Sequence, residues 1–281
     1  MVLFSIKSAD NKSNNIIYNS PHSGELFPDD FLDQISIDKH ILLCSGDSFV
    51  DRLFDDAPKY GSSIMANNYA RSFMDTNRAA YELDKTMFSG DIPEHLLDHS
   101  RKVDLGYGSI AKYAYTRQDI YMDTIPFKEA EERINKFYFP VHKQLEHLLN
   151  ENFNDFGYSL LIDCHSMPSN EFLDIKTIHS QPDIVIGDLY GNSCSDKITE
   201  YIKHFFEDAD LSVAMNDPFA GGYNTDHYGR PSENKHAIQI EINKSLYMDE
   251  HNRCPNSGFH QTKSMLNILM KWLDRDMENL I

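Results

Sequence analysis

Three residues whose side chains can carry hydrolytic chemistry lie near the ends of apolar segments of this sequence. His22 follows residues 15–19, His165 follows residues 158–164, and Glu241 lies at the end of residues 237–242. In an open α/β sheet, ligands bind outside the carboxyl ends of the strands. Two neutral imidazoles and one carboxylate make a catalytic zinc site with a position open for water. A single histidine would be explained as well by a hydrogen-bonded turn, so the prediction of a metal site depends on the pair.

Two residues compete to be the carboxylate ligand. Glu25 lies three residues after His22, whereas Asp47 lies at the predicted start of the next helix. Asp47 could instead cap that helix, because aspartate is a favoured N-cap residue. Glu25 could be a solvated turn residue. The spacing alone leaves both ligands possible.

The segment 71–78 offers groups that suit an anionic substrate. Asn77 and Arg78 could present an amide and a planar guanidinium to a carboxylate, which arginine binds through two hydrogen bonds. Arg71 could face a developing oxyanion in the same pocket. Asp75 is close in sequence, so a surface salt-bridge cluster is the alternative explanation.

Two further sites complete the set of candidates. The turn-rich loop 217–223 contains a glycine pair, which permits positive φ and close approach of the backbone. Gly222 and Tyr223 of this loop could contact substrate.

Glu241 is a carboxylate in an otherwise apolar segment. Since an ionised carboxylate is rarely buried alone, we expect Glu241 to be paired, solvated in a cleft or catalytic, with exposure on an edge strand as the alternative.

The elements that must position these residues follow an α/β pattern. Apolar segments at 15–19, 62–66, 158–164, 183–186 and 237–242 predict strands, and 47–60, 127–152, 194–207 and 259–277 predict helices. The strands read as apolar runs, which suits a sheet covered on both faces. We therefore predict a central mixed, mostly parallel sheet flanked by helices. Residues 1–281 form one predicted domain, with an irregular excursion at 84–123.

Composition limits the possible partners. The 26 basic and 44 acidic residues give a net charge of −18, which disfavours nucleic acid and anionic membranes. There is no apolar stretch long enough for a membrane span, and residues 1–15 are polar and lack the apolar core expected of a signal peptide. None of the four cysteines forms a CxxC pair. We expect a cytoplasmic protein whose anionic small-molecule substrate meets a local cationic pocket. The oligomeric state stays open.

Six short motifs, taken in order, resemble the N-formylglutamate amidohydrolases. They are Ser20-Pro21-His22-Ser23-Gly24, the run 47–53, Asp75-Thr76-Asn77-Arg78, the run 163–167, Gly221-Gly222-Tyr223 and the run 239–243. The resemblance implies the phosphorylase/hydrolase-like fold of the zinc-dependent exopeptidases. It also implies hydrolysis of N-formyl-L-glutamate to formate and L-glutamate in histidine degradation.

The resemblance further assigns roles. It implies one zinc ion per chain held by His22 and His165, with Asp47 favoured over Glu25 as third ligand. Asn77 and Arg78 would hold the substrate carboxylate, Arg71 would face the scissile carbonyl, and Glu241 would be the general base. Two rival functions are a related zinc amidohydrolase acting on another N-acyl amino acid or a peptide, and a non-catalytic small-molecule binding protein on the same fold. The excursion at 84–123 matches none of the motifs.

Overall fold

The computed structural model describes residues 2–169 and 181–281. Its strands are β1 (Phe4–Lys7), β2 (Ile16–Ser20), β3 (Ser63–Asn67), β4 (Phe88–Ser89), β5 (Ile125–Pro126), β6 (Ser159–Met167), β7 (Ile184–Gly187), β8 (Val213–Met215), β9 (Lys235–Asn243), β10 (Met248–Asp249) and β11 (Cys254–Pro255). Its helices are α1 (Asp29–Leu32), α2 (Lys39–Cys44), α3 (Val50–Leu53), α4 (Arg101–Asp104), α5 (Phe127–Arg133), α6 (Phe139–Phe156), α7 (Asp196–Asp208), α8 (Tyr223–Tyr228) and α9 (Phe259–Leu280).

The central sheet has seven strands in the order β1-β3-β2-β6-β9-β7-β8. The pairs β2–β6, β6–β9 and β7–β8 are parallel, whereas β7 and β9 run antiparallel. Every described residue of β2, β6 and β7 is buried, as expected for a sheet covered on both sides. The predicted mixed, mostly parallel sheet flanked by helices is confirmed.

The two faces of β6 and β9 differ in chemistry. Ile162 and Cys164 of β6, with Ile240 of β9, belong to the apolar core. The alternate positions carry polar side chains: Asp163 pairs in register with Gln239, and His165 with Glu241. Because side chains at every second position share a face, polar groups from both strands gather on one side of the sheet. β6 also continues to Met167, so His165 lies within the strand and not just past it as predicted.

The predicted helix 47–60 is broken into two short pieces. The α-helix α3 covers Val50–Leu53, and a 3₁₀ turn covers Ala57–Tyr60. Phe49, with a φ of 69°, occupies the N-cap position, so Asp47 lies outside it. The break agrees with Pro58, which has no N–H for an α-helical hydrogen bond. The apolar residues of both pieces are nevertheless buried, namely Val50, Leu53, Phe54 and Ala57.

The predicted helix at 127–152 is confirmed, and it contains a π-helical turn at Ile134–Tyr138 between α5 and α6. Pro140 explains this turn, because it cannot donate a hydrogen bond to the preceding turn of an α-helix. The excursion 84–123 contains only short elements, among them α4 and 3₁₀ turns at Lys85–Met87 and Glu94–Leu96.

The chain forms two compact units by backbone proximity. One comprises Pro21–Ser48 and Ala66–Glu146 with the chain up to Ser5; the other comprises Ile6–Ser20, Phe49–Met65 and the chain from His147. The single-domain organisation stays a prediction. Within residues 2–169 and 181–281, no helix has the length and apolar character needed to cross a bilayer.

Candidate metal centre and its surroundings

His22 is held between two carboxylates. Its Nε2 lies 2.8 Å from Oδ1 of Asp75, and its Nδ1 lies 3.3 Å from Oδ2 of Asp47. The backbone secures Asp47 beside it, because the Asp47 N–H donates to the His22 carbonyl at 2.9 Å and the Ser23 hydroxyl donates to the Asp47 carbonyl at 3.0 Å. All three side chains of this cluster, His22, Asp47 and Asp75, are buried.

His165 has a corresponding carboxylate partner. Its Nε2 lies 2.7 Å from Oδ2 of Asp163, two residues earlier on the same face of β6. Oδ1 of Asp163 accepts hydrogen bonds from the side-chain amides of Asn19, at 2.8 Å, and Asn224, at 3.0 Å. Burial raises the pKa of the Asp163 carboxyl, but His165 and the two amides outweigh this effect and lower it. Asp163 is therefore an ionised anchor for the imidazole.

His22, Asp47 and His165 each offer one ligand atom, and these three atoms lie within 4.8 Å of one another. Since Nε2 of each histidine is bonded to a carboxylate, Nδ1 is the nitrogen that can bind a metal. Two ligands of a tetrahedral zinc ion are roughly 3.3 Å apart, which matches the 3.3 Å between His22 Nδ1 and Asp47 Oδ2. The buried nitrogen-plus-oxygen donor set fits a metal ion such as zinc.

The alternative carboxylate ligand, Glu25, differs from Asp47 in burial. Glu25 is exposed, and it is not a member of the buried metal-binding group in the described part of the chain. Asp47 belongs to this group. Because Phe49 is the N-cap residue of α3, Asp47 does not cap this helix. Asp47, and not Glu25, is thus the carboxylate that the structure groups with the two histidines, and its role as a ligand stays a prediction.

Arg71 contacts Asp75 through two nitrogens. Its Nη2 and Nε lie 2.6 and 3.1 Å from Oδ2 of Asp75. The salt bridge with Asp75 considered from the sequence is therefore present, but it is not confined to the surface, because Asp75 is 3% exposed. Burial raises the pKa of the Asp75 carboxyl, but Arg71, His22 and Arg78 outweigh it and hold the pKa well below its usual range. Arg71 therefore stabilises the carboxylate that orients His22.

Asn77 and Arg78 lie in the same tightly bonded turn. The Asn77 N–H donates to Oδ1 of Asp75 at 2.8 Å. Arg78 Nη1 donates to the Asn77 carbonyl at 2.7 Å, and Arg78 Nε donates to the Tyr107 carbonyl at 3.0 Å. These bonds fix the direction of a partly buried guanidinium.

The remaining predicted residues lie at β9 and α8. Glu241 is 7% exposed and accepts a hydrogen bond from Gln239 at 2.8 Å. Gly222 is the N-cap residue of α8, and Tyr223 is the first residue of this helix. The positive φ expected in the glycine pair occurs at Gly221, whose φ is 144°, and not at Gly222. The next residue, Asn224, ties the start of α8 to the anchor of His165.

Sequence reasoning missed the residues that orient the two histidines, namely Asp75, Asp163, Asn19 and Asn224. The two-residue spacing of Asp163 and His165 could have shown that they share a face of a strand. The contact between Asp75 and His22 spans 53 positions of the chain, so local spacing gave no signal for it.

An α/β sheet that carries a buried two-histidine, one-carboxylate group defines a candidate metalloenzyme. The family model for N-formylglutamate amidohydrolase matches residues 14–248. The chain therefore belongs to this family, whose members are hydrolases acting on an amide bond.

Individual relatives agree with this assignment. The chain is 28% identical to N-formylglutamate deformylases of Pseudomonas putida and Pseudomonas aeruginosa, over 84% of this chain and 82% of each relative. The crystal structure of N-formylglutamate amidohydrolase from Ralstonia eutropha JMP134 is 29% identical, with 100% of both chains covered and a TM-score of 0.93. A gene product of Agrobacterium tumefaciens, 16% identical over 98% of this chain and 96% of its own with a TM-score of 0.63, shares the fold.

Proposed function

We propose that this protein hydrolyses N-formyl-L-glutamate to formate and L-glutamate, as a zinc-dependent step of histidine degradation. The observation that carries the proposal is the buried group of His22, Asp47 and His165 in a chain of the N-formylglutamate amidohydrolase family. The names of the Pseudomonas relatives support the choice of substrate.

The metal in this proposal is one zinc ion per chain, held by His22, Asp47 and His165. Nitrogen and oxygen ligands of this kind suit zinc. Bound zinc would lower the pKa of a water molecule and polarise the formyl carbonyl. Asp75 and Asp163 keep the two imidazoles in the orientation that this requires.

The other predicted site residues transfer a proton or bind the substrate. Glu241 accepts a proton from the attacking water and returns it to the leaving amine, a role that suits a carboxylate enclosed in the sheet. Arg78 and Asn77 bind a substrate carboxylate. Arg71 stabilises the negative charge that develops on the scissile carbonyl oxygen. Tyr223 and Gly222, at the start of α8, contact the substrate. These arginines supply the local positive charge that an anionic substrate needs in a protein of net charge −18.

The proposal is tested by measuring zinc content and formate release from N-formyl-L-glutamate on one preparation. We expect one zinc per chain, turnover, and loss of both in His165→Ala. His236→Ala, which alters another buried histidine on the sheet, is the control and should retain zinc. Zinc without turnover would redirect the proposal to other N-acyl amino acids or peptides, tested as a panel. Absence of both zinc and turnover from wild type would contradict the proposal.

A further inference from the structure

We propose that residues 107–109 of the excursion, together with Tyr138, position Arg78 and so set the affinity for the substrate carboxylate. This inference rests on the proposed function, because it takes Arg78 to bind that carboxylate. It assigns a role to the excursion 84–123, which none of the sequence motifs covers. The element to be positioned is the loop 75–82, called here the arginine loop.

The excursion bonds to the arginine loop through its backbone. The Ser109 carbonyl accepts from the Asp75 N–H at 2.7 Å, and the Tyr107 carbonyl accepts from Arg78 Nε at 3.0 Å. Ser109 then donates its N–H to the Glu82 carbonyl and its hydroxyl to the Ala80 carbonyl, both at 2.8 Å. The contacts reach both ends of the loop, so the excursion holds its whole length.

Gly108 allows this close approach. A Cβ atom at position 108 would lie 2.1 Å from the Glu82 carbonyl oxygen and 3.1 Å from its carbon. These are backbone atoms, and they cannot move aside as a flexible side chain would. Alanine at position 108 must therefore push residues 107–109 and the arginine loop apart, which lengthens the contact of Tyr107 with Arg78.

The helix made of α5, the π-helical turn and α6 supplies a second set of hydrogen bonds to the arginine loop. The Tyr138 hydroxyl donates to the Arg78 carbonyl at 2.7 Å, and His142 Nε2 lies 2.9 Å from the Thr76 carbonyl. Tyr138 belongs to the π-helical turn Ile134–Tyr138 and is 2% exposed. A π-helical turn shifts the side chains that follow it relative to an α-helix. The turn thus places a buried hydroxyl against the backbone of Arg78 itself.

These contacts leave little freedom for Arg78. Its carbonyl, Nε and Nη1 are each bonded to a different group, on Tyr138, Tyr107 and Asn77. A guanidinium that is already oriented loses less conformational freedom when it binds a carboxylate. Loosening the support from Tyr138, whose hydroxyl bonds to the Arg78 carbonyl, should therefore weaken substrate binding and leave the chemical step and the metal in place.

The test compares Tyr138→Phe and Gly108→Ala with wild type. Tyr138→Phe removes one hydroxyl and keeps the ring, which packs 4.3 Å from that of His142. Tyr201→Phe is the matched control, because it removes a hydroxyl that bonds to Asp276 on α9. Four quantities are measured: kcat and KM for N-formyl-L-glutamate, zinc content, and amide hydrogen exchange of the arginine loop.

For Tyr138→Phe we expect KM to rise about fivefold, the effect of one lost hydrogen bond, with kcat and zinc unchanged. Exchange in the loop should also accelerate, and Gly108→Ala should raise KM and exchange further in the same direction. Unchanged KM and exchange in Tyr138→Phe, or a loss confined to kcat, would overturn the proposal. If wild type does not hydrolyse N-formyl-L-glutamate, the proposed function fails, and exchange alone still decides whether Tyr138 orders the loop.

Discussion

Oδ2 of Asp163 lies 2.7 Å from Nε2 of His165, and the carboxylate that makes this contact is fully buried. A buried carboxylate is stable only if its oxygens are satisfied, and here Asn19 and Asn224 bond to the second oxygen. This relationship fixes the imidazole with Nδ1 as the nitrogen for a metal ion. The same arrangement recurs between Asp75 and His22.

Replacing Asp163 with Asn should weaken zinc binding by about 10- to 100-fold, the usual effect of removing such a partner of a metal-bound histidine. The amide keeps the size of the carboxylate but loses its charge, so His165 is held less firmly. The measurement is a zinc-competition titration against a coloured chelator. Asp188→Asn is the matched control, since Asp188 is also buried and bonds to Asn216 and Thr199. Equal zinc affinity in both variants would contradict the anchoring role.

The sequence predicted the sheet and the two histidines that the fold brings together with Asp47, but it did not predict the side chains that orient them. Apolar runs of strand length indicate which segments enter the sheet. The histidines that follow two of these runs indicate a metal site. The sequence alone could not decide whether Asp47 caps a helix or binds a metal ion. In the structure Phe49, with a positive φ, takes the N-cap position of α3, so Asp47 does not cap this helix. The role of Asp75 depended on contacts with Arg71 and His22 that only the folded chain creates.

Glu241→Gln should lower kcat by about 10²- to 10⁴-fold, the usual contribution of a general base, while the protein still binds zinc. Glutamine fills the same space but cannot accept a proton from water. Gln239, which donates to Glu241 at 2.8 Å, remains to hold the side chain. Formate release and zinc content are measured on each preparation.

Glu250→Gln is the control for this substitution, because Glu250 is also buried and accepts a bond from the Ser169 N–H. It should keep near wild-type kcat. Full activity in Glu241→Gln would remove this residue from the mechanism.

Arg71→Lys should weaken zinc binding as well as lower kcat. Lysine has a single charged nitrogen and cannot reproduce the two contacts that Arg71 makes with Oδ2 of Asp75. We expect a decrease in zinc affinity of about tenfold, since Asp75 orients His22. If Arg71 acted only on the scissile carbonyl, kcat would fall with zinc affinity unchanged. Arg275→Lys is the control, because the exposed Arg275 also pairs with an aspartate, Asp276. It should change neither zinc affinity nor kcat.

His236 should make the protein less stable in mild acid. This side chain is 4% exposed on β9, its Nδ1 has no hydrogen-bond partner among residues 2–169 and 181–281, and burial lowers its pKa. The unfolded chain, with a histidine pKa of about 6.5, therefore binds the proton more readily than the folded one. The stability from the neutral imidazole is present above about pH 6.5 and is lost as pH falls toward the lower folded pKa.

Urea unfolding followed between pH 7.5 and pH 5 measures this effect. His236→Gln should give a free energy of unfolding that falls less steeply over this range than that of wild type, since glutamine does not titrate. His147→Gln, at a largely exposed histidine beside Glu151, should keep the wild-type slope. A His236→Gln slope equal to that of wild type would show that His236 is not the group that titrates.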